Sequence, residues 1–245
     1  MSATSNESPL RTVFITGGTG YIGAPLIHAL IARGHRVRAL VRPASRLRAM
    51  QLLPAGCDLV EGDALDASSF AAAVRGSDTF VQMVGVPHPS PRKAQAFRDI
   101  DLAAALAGLS AAKKGHAAHF VYLSVTQFTD GKAPAMQAYV ASRAEAEARI
   151  AADAGAGHLC ATFLRPWYVL GPGHRWPLLL KPLYWLASLV PSKRDNVAAM
   201  GLVTREEMVA ALVDAIEHPP LDLRIIGVPQ IREIATAQQS TQPAH

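Results

Sequence analysis

Short apolar-rich stretches alternate along this chain with longer ones in which apolar residues recur every three or four positions. The short stretches are Val13–Ile15, Arg36–Val41, Asp58–Val60, Thr79–Val84, Phe120–Ser124 and Ala161–Leu164, and they have the length and hydrophobicity of buried strands. The longer ones predict helices at Tyr21–Arg33, Ala67–Val74, Ala94–Lys114 and Thr204–Glu217, with Gly34 stopping the first. Thr204 with Glu207 three residues on has the spacing of a capping box. Strands alternating with helices specify an α/β fold with a Rossmann-type, doubly wound parallel sheet. Leu223–Gly227 reads as one more strand. The expected organisation is an unstructured N-terminus over residues 1–10, one domain over 11–230 and an unstructured tail over 231–245. A small helical region on the substrate side is expected mainly within 166–220.

Composition narrows this only a little. A chain of 245 residues that is 50% hydrophobic and 18% charged can bury a full core. Its two cysteines, Cys57 and Cys160, lie far apart and read as free thiols, and the polar N-terminus lacks a leader's apolar core, so the expected location is the cytoplasm. The apolar segment 176–190 is interrupted by Pro177, Lys181 and Pro182. It falls short of the ~20 apolar residues of a spanning helix and leaves peripheral membrane contact open. No metal site is expected, and a homodimer is compatible with the composition.

The first strand runs into glycines at 17, 18, 20 and 23, followed by a helix. Gly17 allows a tight turn, Gly20 lets backbone approach a pyrophosphate, and Gly23 lets the helix pack on the strand, while the first helical N–H groups face the anion. After the second strand, an acidic residue would read the ribose hydroxyls of NAD. None occurs between Ile15 and Asp58; Arg42 stands at the strand end, with Ser45 and Arg46 beyond. Guanidinium groups there suit a 2′-phosphate, which favours NADP over NAD. The cluster Arg33, Arg36, Arg38, Arg42, Arg46 and Arg48 also fits a solvated basic face. A nucleic-acid surface is disfavoured, because no aromatic residue interleaves with these arginines.

The segment TGGTGYIG (Thr16–Gly23) resembles the opening of the short-chain dehydrogenase/reductase superfamily, on the extended or atypical side that includes nucleotide-sugar epimerases and NmrA-like proteins. The resemblance covers roughly residues 12–228. It implies cofactor contacts from Gly17, Thr19, Gly20, Tyr21, Ile22 and Gly23. Gly62-Asp63 is similar to the family's Gly-Asp step, placing Asp63 and Ala64 at the adenine; with Asp66 as a helix cap, Asp63 is a turn residue instead. Gly85 matches the glycine beside the cofactor, and Arg165-Pro166-Trp167-Tyr168-Val169-Leu170-Gly171 resembles the segment after strand six, adding Arg165 and Pro166.

The family's chemistry rests on a serine or threonine after strand five and a Tyr-x-x-x-Lys on the next helix, the tyrosine being the general acid or base. The resemblance assigns these roles to Ser124, Tyr139 and Arg143. Two departures stand out: Arg143 replaces lysine, and Val125 occupies a position where extended members carry a second hydroxyl, leaving Ser124 or Thr126 for that role. Plainer readings exist for each residue: Ser124 as a strand-end cap, Tyr139 as a packing anchor, and Arg143 paired with Glu147 one turn on. His88, in a proline-rich loop, is a further candidate for substrate contact. The implied activity is NADP-dependent oxidoreduction of a small carbonyl or alcohol. The alternatives are an NADP(H)-binding sensor or assembly protein with little turnover and, less favoured, a sugar-nucleotide epimerase or dehydratase.

Overall fold

A computed structural model describes residues 9–86, 90–127, 136–171 and 201–241. Nine strands occur among them: β1 (Thr12–Thr16), β2 (Arg36–Val41), β3 (Cys57–Glu61), β4 (Thr79–Gln82), β5 (His119–Leu123), β6 (Cys160–Arg165), β7 (Tyr168–Leu170), β8 (Leu202–Thr204) and β9 (Leu223–Gly227). Seven form one parallel sheet in the order β3-β2-β1-β4-β5-β6-β9. The order reverses at β1, which pairs with both β2 and β4, so the crevice of the fold opens at the C-terminal ends of β1 and β4. The eight α-helical segments are α1 (Gly23–Ala32), α2 (Arg46–Leu52), α3 (Ala71–Val74), α4 (Ala94–Ala96), α5 (Ala103–Gly115), α6 (Gln137–Gly155), α7 (Arg205–Glu217) and α8 (Val228–Thr241).

The period-2 geometry of the strands divides the core into two layers. Val13, Ile15, Val81, Val121 and Leu164 face α1 and α7, where Leu26, Ile27, Leu30, Met208 and Leu212 cover them. The opposite face carries Phe14, Phe80 and Phe120, which are register partners on adjacent strands. Their rings stack with centroids 5.4 and 5.2 Å apart, and such contacts are worth about 0.5–1.5 kcal/mol each beyond the area they bury. This row fixes the register of the strands whose ends form the crevice.

Several expectations are modified. Residues 231–241 of the tail expected to be unstructured belong to helix α8, with Val228, Ile231 and Ala235 buried at a helical spacing; residues 242–245 lie outside the described residues. The single helix expected over Ala94–Lys114 is α4, a π-helical turn over Phe97–Leu102, and α5. A 3.6-residue pattern does not register one inserted residue. The helix expected over Ala67–Val74 is a 3₁₀ turn, Ala67–Ser69, followed by α3, with the Asp66 carboxylate accepting from the Ser68 amide at 2.9 Å. The two-stranded parallel sheet of β7 and β8 has three residues per strand, too few to register as a period. The capping box on α7 forms as expected, with Glu207 N donating to Thr204 Oγ1 at 3.1 Å and Thr204 N donating to Glu207 Oε2 at 2.7 Å. His88 and residues 1–8 and 172–200 lie outside the described residues, so the apolar segment 176–190 receives no structural account.

Candidate functional site

The glycine turn follows from three local constraints. Gly17 has φ +77°, and a Cβ there would lie 2.8 Å from the Met83 carbonyl carbon just beyond β4. A Cβ at Gly23 would collide with the Gly17 oxygen and lie 2.8 Å from Gly18 Cα, so α1 begins in contact with the turn. Gly20 differs: it is exposed, its amide donates to the Gly17 oxygen at 3.0 Å, and a Cβ would meet only that oxygen, at 3.1 Å. No side chain caps α1, and its first turn carries no acidic residue. The result is an open cradle at the N-terminus of α1 that a side chain at Gly20 would begin to fill, and its shape fits a diphosphate. Thr19 is half-buried beside it, and Ile22 packs onto the core. Tyr21 reaches across to Gly171, with the Arg205 guanidinium 5.5 Å above its ring. Burial raises the Tyr21 phenol above its ordinary value, partly offset by Arg205.

At the far side of the turn, Arg42 is exposed after β2 and makes no ion pair among the described residues. Arg46, on α2, pairs with Glu61 at 3.1 Å. Other members of the basic run are tied elsewhere: Arg33 to Glu217 at 2.8 Å, and Arg38 to the carbonyls of Ala73 and Arg75 at 3.1 and 2.7 Å. Asp63 Oδ1 accepts from the Leu65 amide at 3.0 Å, a turn contact that leaves its second oxygen without a partner among the described residues. Ala64 is half-buried next to it.

At the reactive end, Tyr139 and Arg143 lie one turn apart on α6. The Tyr139 ring packs edge-on against Phe97, with centroids 5.1 Å apart, and the Arg143 guanidinium carbon lies 5.1 Å from the Tyr139 centroid. Arg143 is 5% exposed. It donates to the Leu123 carbonyl and, at 2.7 Å, to Asp101 Oδ1, so it does not pair with Glu147. Burial disfavours the Arg143 charge, but Tyr139, Tyr122 and Asp101 more than offset this, and the guanidinium is held protonated. Gly85 makes room for it, because a Cβ there would strike Arg143 Nη2 and lie 3.0 Å from Asp101 Oδ1.

Ser124 is 3% exposed, and its hydroxyl has no partner among the described residues; its amide, not its side chain, bridges to the Leu164 carbonyl at 2.8 Å. The neighbouring positions offer less. Val125 is buried and apolar, and Thr126 Oγ1 donates to the Arg165 carbonyl at 2.9 Å. Arg165 is held by Glu147, with its Nε 3.0 Å from Oε1 and its Nη2 on Oε2, and Glu147 also accepts from Gln127 at 2.6 Å. Pro166 is buried and its carbonyl accepts from the Thr126 amide at 3.0 Å. Both segments are thereby fixed at the ends of β5 and β6. Asp101 and Tyr122 were not anticipated, and Glu147 was expected as a partner of Arg143, not of Arg165. Tyr122 is buried beneath Arg143 with its phenol pushed up to about 12 by burial, and only its place in an apolar strand marked it in the sequence.

Glycine turn, Arg42, Gly85, Ser124, Tyr139 and Arg143 all lie at the C-terminal end of one parallel sheet, the position of ligands in open α/β folds. The model of the NmrA-like family matches residues 9–171. A 3β-hydroxysteroid dehydrogenase/Δ5→4-isomerase of Mycobacterium tuberculosis is 38% identical over 86 residues, which cover 35% of this chain and 22% of that protein. A 3-diazoavenalumate denitrifying reductase of a Streptomyces species is 48% identical over 62 residues, 25% of this chain and 18% of that protein. The matched stretch thus spans about a fifth of the length of such relatives. Among solved structures, a short-chain dehydrogenase/reductase-family oxidoreductase of Burkholderia thailandensis aligns with TM-score 0.65 at 21% identity, covering 95% of this chain and 98% of that one. A UDP-galactose 4-epimerase aligns with TM-score 0.65 at 19% identity, covering 88% and 76%. These likenesses establish a shared fold.

Proposed function

The chain belongs to the NmrA-like family, and from that premise we propose that it is a nicotinamide-dependent oxidoreductase acting on a carbonyl or alcohol, with NADP(H) preferred. The observation that carries this reading is Ser124, a buried hydroxyl left without a partner among the described residues beside the carbonyl that takes the Arg143 guanidinium. Buried polar groups are ordinarily hydrogen-bonded, and a ligand oxygen or a water would serve Ser124 here. Several curated relatives that the chain matches over part of their length are dehydrogenases or reductases by name, which supports the same reading.

The glycine turn would hold the cofactor diphosphate, and Arg42 the 2′-phosphate. When bound, the cofactor supplies or accepts the hydride. In reduction, Tyr139 gives its phenolic proton to the carbonyl oxygen; in oxidation, it takes that proton back. Ser124 donates a hydrogen bond to the same oxygen. Arg143 packs over the Tyr139 ring and holds the end of β5 through the Leu123 carbonyl. A second reading, a nucleotide-binding protein with little turnover, is favoured by one feature: Val125 is buried and apolar where a second hydroxyl would polarise the substrate.

Consumption of NADPH against a panel of ketones and aldehydes tests the choice. Steady turnover is expected, with Tyr139→Phe lowering kcat by about 10²–10⁴-fold at unchanged NADPH affinity. Turnover of that variant within about threefold of the wild type, far short of the loss of a positioned proton donor, rules out the acid–base role.

A further inference from the structure

The reactive end is seated by a feature outside the glycine turn and α6. Between α4 and α5 the helix widens into a π turn over Phe97–Leu102. Such turns insert one residue and re-aim the side chains that follow, and they occur frequently at functional sites. Phe97 and Asp101, four residues apart on this turn, meet Tyr139 and Arg143, four residues apart on α6. Phe97 packs against the Tyr139 ring, and Asp101 Oδ1 takes Arg143 Nη2 at 2.7 Å. Asp101 Oδ2 takes the Val86 amide at 2.8 Å, in the loop that leaves β4. The Asp101 side chain is fully buried, so both oxygens are committed to these partners.

We propose that Asp101 is the positioning residue of the reactive end: from the π turn it fixes Arg143 and the loop after β4 together, so that the nicotinamide half of the cofactor meets a pre-set Tyr139–Arg143 pair. This rests on the cofactor reading above. The adenosine half would lie at β2 and the glycine turn, which the loop after β4 meets at Met83 and Val84 and not at Val86, the residue that Asp101 holds. Asparagine at 101 keeps one carbonyl oxygen for two donors. Arg143 or Val86 is then released, and the preorganisation is lost at one end of the crevice only.

Binding of NADPH and of adenosine 2′,5′-bisphosphate, which lacks the nicotinamide half, separates the two ends. Asp101→Asn should weaken NADPH about tenfold, the worth of one charge-assisted hydrogen bond, and leave the bisphosphate within about twofold. Because a lone buried guanidinium can unfold a protein, the Asp101→Asn/Arg143→Met double variant removes both charges together. It should fold and show the same selective loss. Equal losses for both ligands, or none for NADPH, in either folded variant would overturn the proposal while leaving the cofactor reading intact. Failure of the wild-type chain to bind NADPH would overturn both.

Discussion

Two glycines three residues apart should respond oppositely to the same substitution. At Gly17 the backbone has φ +77°, and an alanine Cβ would press against the Met83 carbonyl carbon at 2.8 Å. The left-handed conformation alone costs about 1–2 kcal/mol, and the neighbour is backbone, which cannot rotate away. Gly17→Ala should therefore lower stability by about 2 kcal/mol or more, a fall in Tm of about 4–8 °C for a chain of this size. At Gly20 the backbone is ordinary, and a Cβ meets only the Gly17 oxygen, at 3.1 Å. A shift of a few tenths of an ångström relieves that contact, so Gly20→Ala should leave Tm within about 2 °C. The methyl group would instead stand in the cradle where the diphosphate approaches, and NADPH affinity should fall at least about tenfold, 1.4 kcal/mol. Thermal unfolding read beside an NADPH titration gives both quantities. A Gly20→Ala protein that is as unstable as Gly17→Ala, or that binds NADPH like the wild type, would refute the assignment of the cradle to this turn.

Arg42→Asp should reverse the preference for NADPH over NADH, because a charge-assisted pair worth about 1.5–3 kcal/mol becomes a repulsion; parallel titrations with both cofactors check this, and an unchanged ratio sinks it. His119 is buried between Thr79 and Thr162, and burial lowers it from 6.5 to about 3. Unfolded chains take up this proton below about pH 6.5 and the folded one does not, so stability is full above 6.5 and is lost as pH falls toward 3, by at most about 1.4 kcal/mol per pH unit. Denaturant unfolding from pH 7 to 4 should show a slope smaller by up to one proton in His119→Gln; identical slopes would place the histidine in water.

The fold was legible where a local rule determines the outcome. Glycine placement marked the first turn, because the conformation at Gly17 and the contact at Gly23 exclude other side chains. Thr204 and Glu207 marked α7, because a capping box involves only its own turn. Helix α8 was hidden: its composition is mixed, and its buried stripe of Val228, Ile231 and Ala235 gains meaning only from α7, the helix it packs against. The π turn was hidden for a different reason, since the residues that widen it are ordinary helix formers and its partners lie on α6.

The same distinction governs the site, and it sharpens the cofactor argument. Spacing on one helix placed Tyr139 and Arg143 on a common face, but the partner of a charge is set by tertiary contacts. Arg143 meets Asp101, 42 residues earlier, and not Glu147, its neighbour one turn on. Arg165 meets Glu147, and Arg46 meets Glu61. Of the four arginines nominated from the sequence for catalysis or cofactor binding, three are thus committed to carboxylates, two of them in buried or half-buried pairs whose disruption is costly. Arg42 is the nominated arginine without such a partner among the described residues. An incoming 2′-phosphate pairs with it without first breaking an ion pair, whereas Arg46 must leave Glu61, a pair about half exposed on each side and worth about 1 kcal/mol at most. The preference for NADP(H) should therefore rest chiefly on Arg42, with Arg46 contributing the smaller share.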